Sequence, residues 1–123
     1  MLIVFLSLTG NVRSFVKRTE MESLEINYTN PLLEVNESFI VMVPSYDDDI
    51  SETICSFINY KNNVTYLKGF VGSGNLNFDD KYCFNAKELS KIYNKPLLFT
   101  FEFSGTNEDV INFKKEVEQF AIT

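Results

Sequence analysis

The sequence predicts an α/β fold, a five-stranded parallel sheet wound with helices on both faces, and three observations carry that prediction. Five apolar runs of strand length follow one another, at residues 2–8, 24–27, 39–43, 67–73 and 97–103. Segments with helical spacing alternate with them, at residues 12–17, 51–60, 81–93 and 107–120. The strongest runs are continuously apolar rather than alternating, as strands covered on both faces require. Parallel neighbours need crossovers, and crossovers are right-handed, so helices are expected above and below the sheet.

Each element has its own signal. Residues 2–8 are closed by the turn residues Thr9-Gly10-Asn11, and residues 12–17 complete a first β-α step. Residues 24–27 form a weak second strand before the loop signal Asn30-Pro31. Phe39-Ile40-Val41-Met42-Val43 is the strongest strand, ended by Pro44, and Ser51-Glu52-Thr53 opens a helix running to about Tyr60. After the fourth strand, the spacing of Phe84, Leu89 and Ile92 predicts a helix over 81–93, stopped by Asn94-Lys95-Pro96. The closing helix, 107–120, directs Val110, Ile111, Phe113, Val117 and Phe120 toward the core.

A length of 123 residues suits one domain spanning 1–123, with 45% hydrophobic and 23% charged residues, both near the globular norm. Seventeen acidic against 11 basic side chains leave a net charge of −6, which opposes binding to nucleic acid or an anionic membrane surface. The apolar start has no cationic segment before it and is short, so it reads as a strand rather than a signal peptide, and a cytoplasmic location is expected. Cys55 and Cys83 lack C-x-x-C spacing and read as free thiols; the sequons at Asn27, Asn36 and Asn63 carry little weight without an export signal. The chain has no histidine, and no nucleophile is paired with a base, so neither hydrolase nor transferase chemistry nor a metal site is expected.

In doubly wound sheets ligands sit beyond the carboxyl ends of the strands, which directs attention to residues 7–12, 44–51 and 73–80. Ser7-Leu8-Thr9-Gly10-Asn11-Val12 gathers two hydroxyls, a glycine and an amide before the first helix, a set suited to a phosphate without lysine. Neither a Walker ending nor G-x-G-x-x-G is present, which disfavours triphosphates and dinucleotides. The alternative is that Thr9 and Asn11 merely cap the helix.

The chain resembles flavodoxins, whose phosphate loop reads S/T-x-T-G-N-T, and more closely the ribonucleotide reductase stimulatory proteins of the NrdI family. Four motifs carry the resemblance nearly end to end: Thr9-Gly10-Asn11-Val12, Val43-Pro44-Ser45-Tyr46, Gly72-Ser73-Gly74-Asn75-Leu76-Asn77-Phe78 and Phe101-Glu102-Phe103-Ser104-Gly105-Thr106-Asn107. The resemblance implies a flavodoxin-like sheet in the order 2-1-3-4-5. It also implies non-covalently bound flavin mononucleotide (FMN), recharged by a reductant of unknown identity and supplying superoxide or electrons to the dimetal small subunit of a ribonucleotide reductase. By the same resemblance Ser7, Leu8, Thr9, Gly10, Asn11 and Val12 hold the phosphate. Ser45, Tyr46, Asp47 and Asp48 line the central loop, and Ser73, Gly74, Asn75, Asn77, Phe78 and Asp79 surround the ring.

This chain departs from the pattern at two places. Asp47-Asp48-Asp49 stands where the family often has a glycine-rich stretch, and Leu76 and Asp79 replace a common Arg and Gly. Acids near a flavin would lower its potential by Coulomb repulsion; alternatively, they are a solvated turn preceding a helix, where the dipole favours them. Tyr46 and Phe78 are the aromatics expected in strand-end loops, where a flat ring can stack. Cys83, early in the third helix, would have a lowered thiol pKa if exposed, whereas Cys55 looks like packing. A receiver domain is disfavoured because the first strand ends in Leu6-Ser7-Leu8 rather than paired acids. A generic flavodoxin electron carrier and a cofactor-free binding module remain as alternatives.

Overall fold

The computed structural model describes residues 1–122, with 79, 80 and 122 described by backbone alone. Five strands, β1 (Leu2–Leu6), β2 (Ser23–Ile26), β3 (Phe39–Val43), β4 (Leu67–Gly74) and β5 (Leu97–Glu102), pair in parallel in the order β2-β1-β3-β4-β5. Four α-helices accompany them: α1 (Asn11–Thr19), α2 (Asp48–Ile58), α3 (Phe84–Tyr93) and α4 (Asn107–Ile122). Short 3-10 turns occupy Asn63–Tyr66 and Leu76–Lys81.

The period of two along a strand sorts its side chains to opposite faces. Leu2, Val4 and Leu6 of β1 join Phe39, Val41 and Val43 of β3 in a cluster covered by Ile50, Ile54 and Phe57 of α2 and Leu89 of α3. Ile3, Phe5, Ile40 and Met42 point the other way, under Val12, Phe15 and Val16 of α1 and Val110, Phe113 and Val117 of α4. On this second face Phe15 stacks on Phe101 with centroids 3.9 Å apart and meets Phe113 edge-on at 5.5 Å. Gly105, at φ 71, passes so close to this stack that a Cβ there would lie 2.7 Å from the Phe15 ring. Arg18 donates to the carbonyls of Ser104 and Gly105, tying the β5-α4 turn to α1.

Several boundaries differ from the sequence expectation. β1 stops at Leu6, because the Ser7 hydroxyl turns to accept the Arg13 N–H at 3.2 Å, and Leu8 is exposed. α2 begins at Asp48 rather than Ser51, because the Asp47 carboxylate caps it by accepting the Asp49 N–H at 3.1 Å. α3 begins only at Phe84, since the preceding residues form the 3-10 turn and Cys83 sits at φ 54. β5 ends before Phe103, which is also left-handed at φ 53. Ile111 is 55% exposed instead of buried, because about 100° per residue rotates it off the stripe made by Val110, Phe113 and Val117.

Alternation of strands and helices lapses between β2 and β3, where no helix forms among the described residues. Asn63, fully buried, does the anchoring. Its Oδ1 accepts the Val35 N–H at 2.9 Å, and its Nδ2 donates to the Leu33 and Phe57 carbonyls, both at 2.8 Å. The sequon asparagine is therefore a structural strut. Replacing it with Ala leaves buried backbone groups of the connection without partners; Asn63→Ala is expected to lose about 2–3 kcal/mol in urea unfolding. An unchanged urea midpoint would count against this role.

Candidate functional site

The carboxyl ends of β1, β3 and β4 lie side by side, and the loops leaving them surround a cavity of about 470 Å³. Leu8, Thr9 and Asn11 come from the first loop, Pro44, Ser45 and Tyr46 from the second, and Ser73, Gly74, Asn75 and Phe78 from the third. Lys81, Phe84 and Phe103 complete the wall. Nine of the sequence-expected residues thus meet around one space: Leu8, Thr9, Asn11, Ser45, Tyr46, Ser73, Gly74, Asn75 and Phe78.

In the first loop Gly10 adopts φ 91, a conformation that strains any side chain, directly before α1 starts at Asn11. Among the described residues neither Thr9 nor Asn11 supplies a side-chain cap to α1. The capping alternative therefore fails for these two side chains, which remain available to a ligand. Ser7 takes the structural task, accepting the Arg13 N–H, while the Ser14 N–H bonds the Gly10 carbonyl at 2.9 Å. The Asn11 and Val12 N–H groups open the helix, where no intrahelical acceptor exists. The Val12 side chain is buried in the core, so the residue offers only its backbone. Arg13, the cation beside this loop, is committed to Glu25 at 3.0 and 2.5 Å and holds that carboxyl below its usual range.

The second loop is clamped by a residue that sequence reasoning missed. Asn85 of α3 is fully buried; its Oδ1 accepts the Tyr46 N–H at 3.0 Å, and its Nδ2 donates to the Asp47 carbonyl at 2.8 Å and the Ser51 hydroxyl at 3.0 Å. Ser45 donates to the Ser73 carbonyl at 2.8 Å, and Ser73 donates to the Phe103 carbonyl at 2.5 Å, which links three loops in series. Asp47 and Asp48 stay exposed outside the cavity lining, as the cap and first turn of α2. That is the solvated-turn alternative in structural form. Tyr28 adds a long 3.5 Å hydrogen bond to the Asp47 carboxylate.

The third loop folds on itself: the Asn75 side chain accepts the Asn77 N–H at 2.9 Å, and the Phe78 N–H reaches the Asn75 carbonyl at 3.0 Å. Asn77 is exposed and is not part of the cavity lining, and the Asp79 side chain lies outside the described residues. Leu76 lines a separate groove beside β5 with Tyr82, Thr100 and Glu102. Gly74 has Cys83 packed against it, where a Cβ would come within 2.9 Å of the Cys83 nitrogen. Burial pushes the Cys83 thiol up to about 11, opposite to the lowering expected for an exposed helix terminus.

Three aromatic rings remain conspicuously uncovered at this mouth: Tyr46 at 68%, Phe78 at 64% and Phe103 at 52% exposure. The sequence pattern ends the fifth strand on Phe103, because its left-handed backbone has no signature in a Phe-Glu-Phe run. The sequence pattern marks Lys81 and Phe84 only as helix, and Pro44 as a strand stop within the second loop. The chemistry of the space is therefore flat apolar walls, neutral donors at one end, and among the described residues one charged lining side chain, Lys81.

These features define a flavodoxin-like protein with a cavity at the carboxyl edge of its sheet. The sequence pattern of the family described as NrdI Flavodoxin like matches residues 3–115, and the chain belongs to that family. Its fold is similar to that of a short-chain flavodoxin associated with a non-canonical PDU bacterial microcompartment, at TM-score 0.63 and 14% identity over 98% of this chain and 95% of the other.

A thiol this buried is protonated at neutral pH. Cys83 is expected to resist alkylation by iodoacetamide at pH 8 in the native protein and to react fully in denaturant, as read by peptide mass spectrometry. Rapid native labelling would contradict the packing described.

Proposed function

We propose that the protein binds FMN at this cavity and serves as a redox partner of the dimetal small subunit of a ribonucleotide reductase. The observation that carries the reading is the pairing, in one cavity of about 470 Å³, of uncommitted neutral donors at the start of α1 with exposed flat aromatics at the other loops. The volume falls within the ordinary range for small-molecule sites. The residues present fit the group: a phosphate suits Thr9, Asn11 and the opening N–H groups of α1, and a tricyclic ring suits Tyr46, Phe78 and Phe103.

When bound, FMN supplies electron transfer and the reduction of dioxygen to superoxide. The chain's own residues do the rest. Gly10 lets the backbone approach the phosphate, and the Ser73-Gly74-Asn75 backbone offers uncharged donors and acceptors to the polar edge of the ring. The clamp of Asn85 on the Tyr46 N–H keeps the central loop in place without another ligand contact. Family membership supports the ribonucleotide reductase partner, and no helix among the described residues is long and apolar enough to cross a membrane. We propose a cytoplasmic location and a separate reductant that recharges the flavin.

Purified protein mixed with FMN is expected to stay yellow after desalting and to quench flavin fluorescence, with riboflavin bound more weakly for lack of the phosphate. The double variant Thr9→Ala, Asn11→Ala removes two donors toward a charged group and should weaken FMN binding by about tenfold or more while leaving riboflavin within about twofold. A wild-type protein that ignores FMN would sink the cofactor reading. Pull-down of the reductase small subunit by the FMN-loaded protein, and its failure with an unrelated flavodoxin, tests the partner separately.

A further inference from the structure

We infer that Lys81 sets the charge preference of the cavity, favouring a bound ring that has gained a negative charge over the same ring when neutral. The inference rests on the flavin reading above. Among the described residues Lys81 is the one charged side chain in the cavity lining, and it closes the 3-10 turn that carries Phe78.

Its place in the sheet decides which end of a ligand it serves. The first loop leaves β1 and the segment bearing Lys81 leaves β4, with β3 between them. Two strand spacings put those exits roughly 10 Å apart. Sharing one turn with Phe78 on the β4 side of the cavity, Lys81 is grouped with the ring walls rather than with the phosphate donors. Among the described side chains, other charges nearby do not take its role. Lys87 lies 5.5 Å over the Tyr82 ring, Glu102 accepts the Leu76 N–H at 3.2 Å, and Asp47, Asp48 and Asp49 are exposed outside the lining.

The charge bookkeeping is simple. A neutral isoalloxazine that takes two electrons and one proton carries one net negative charge. At about 8 Å and an effective dielectric near 40, an ammonium favours that form by roughly fivefold. Removing the charge should thus lower the two-electron midpoint without loosening the oxidised complex.

The test compares wild type, Lys81→Gln and Lys81→Arg. Oxidised FMN and riboflavin affinities are measured by fluorescence, and the midpoint by dithionite titration against a reference dye. Lys81→Gln should bind oxidised FMN within about twofold of wild type and the reduced form about fivefold more weakly, a midpoint lowered by about 20 mV; Lys81→Arg should restore it. An unchanged midpoint in a Lys81→Gln protein that still binds FMN overturns the inference. So does a selective loss of oxidised FMN affinity with riboflavin unaffected, which would assign Lys81 to the phosphate. Failure of the wild type to bind FMN instead overturns the underlying cofactor reading, and this inference with it.

Discussion

Burial of β3 is the constraint from which the rest of the molecule follows. All five of its residues, Phe39–Val43, are buried, so each backbone N–H and C=O must find its partner in a neighbouring strand. β1 and β4 meet that need from the two sides, in parallel register Leu2 opposite Phe39 and Val43 opposite Gly72. Parallel pairing then sends every chain exit from these strands to one edge, and three loops converge on one space. The cavity is a consequence of satisfying β3, before any side chain in it is considered.

What keeps that space shaped is polar rather than apolar. Asn85 and the series Ser45 to Ser73 to Phe103 fasten the second loop, the third loop and the turn after β5 to one another through backbone atoms. Each bond is buried or half-buried, where an unmet partner costs about 1–3 kcal/mol, so the loops have few alternatives. Aromatic faces left uncovered beside such a fixed frame offer a ligand apolar area whose ordering cost is already met by folding. At the first loop Arg13 is already occupied with Glu25, which leaves neutral groups to face the cavity.

Much of this was legible in the chain itself. The continuous runs of β1 and β3 announce strands buried on both faces, and the turn Thr9-Gly10-Asn11 announces the first loop with its left-handed glycine. Less was legible wherever long-range partners decide local geometry. Ser7 leaves the strand because of Arg13, α2 starts early because Asp47 happens to cap it, and Ile111 faces water although its neighbours Val110 and Phe113 do not. Asn63 shows in the sequence only as a sequon and Asn85 not at all, because their bonds run to residues far away in sequence.

By itself the sequence determined the strand and helix inventory, the parallel architecture and the loops that carry the site, since these depend on hydrophobic period and turn chemistry within short windows. Tertiary structure alone decided which residues of those loops face inward. Thr9 and Asn11 were left free because Ser7 took the capping bond, Asp47 and Asp48 were drawn out of the site into α2, and Lys81, Phe84 and Phe103 were brought in from segments that looked like plain helix and strand. The physical reason is that a side chain's direction at a strand end follows from the backbone angles of its turn, and those are set by hydrogen bonds to residues that no local window contains.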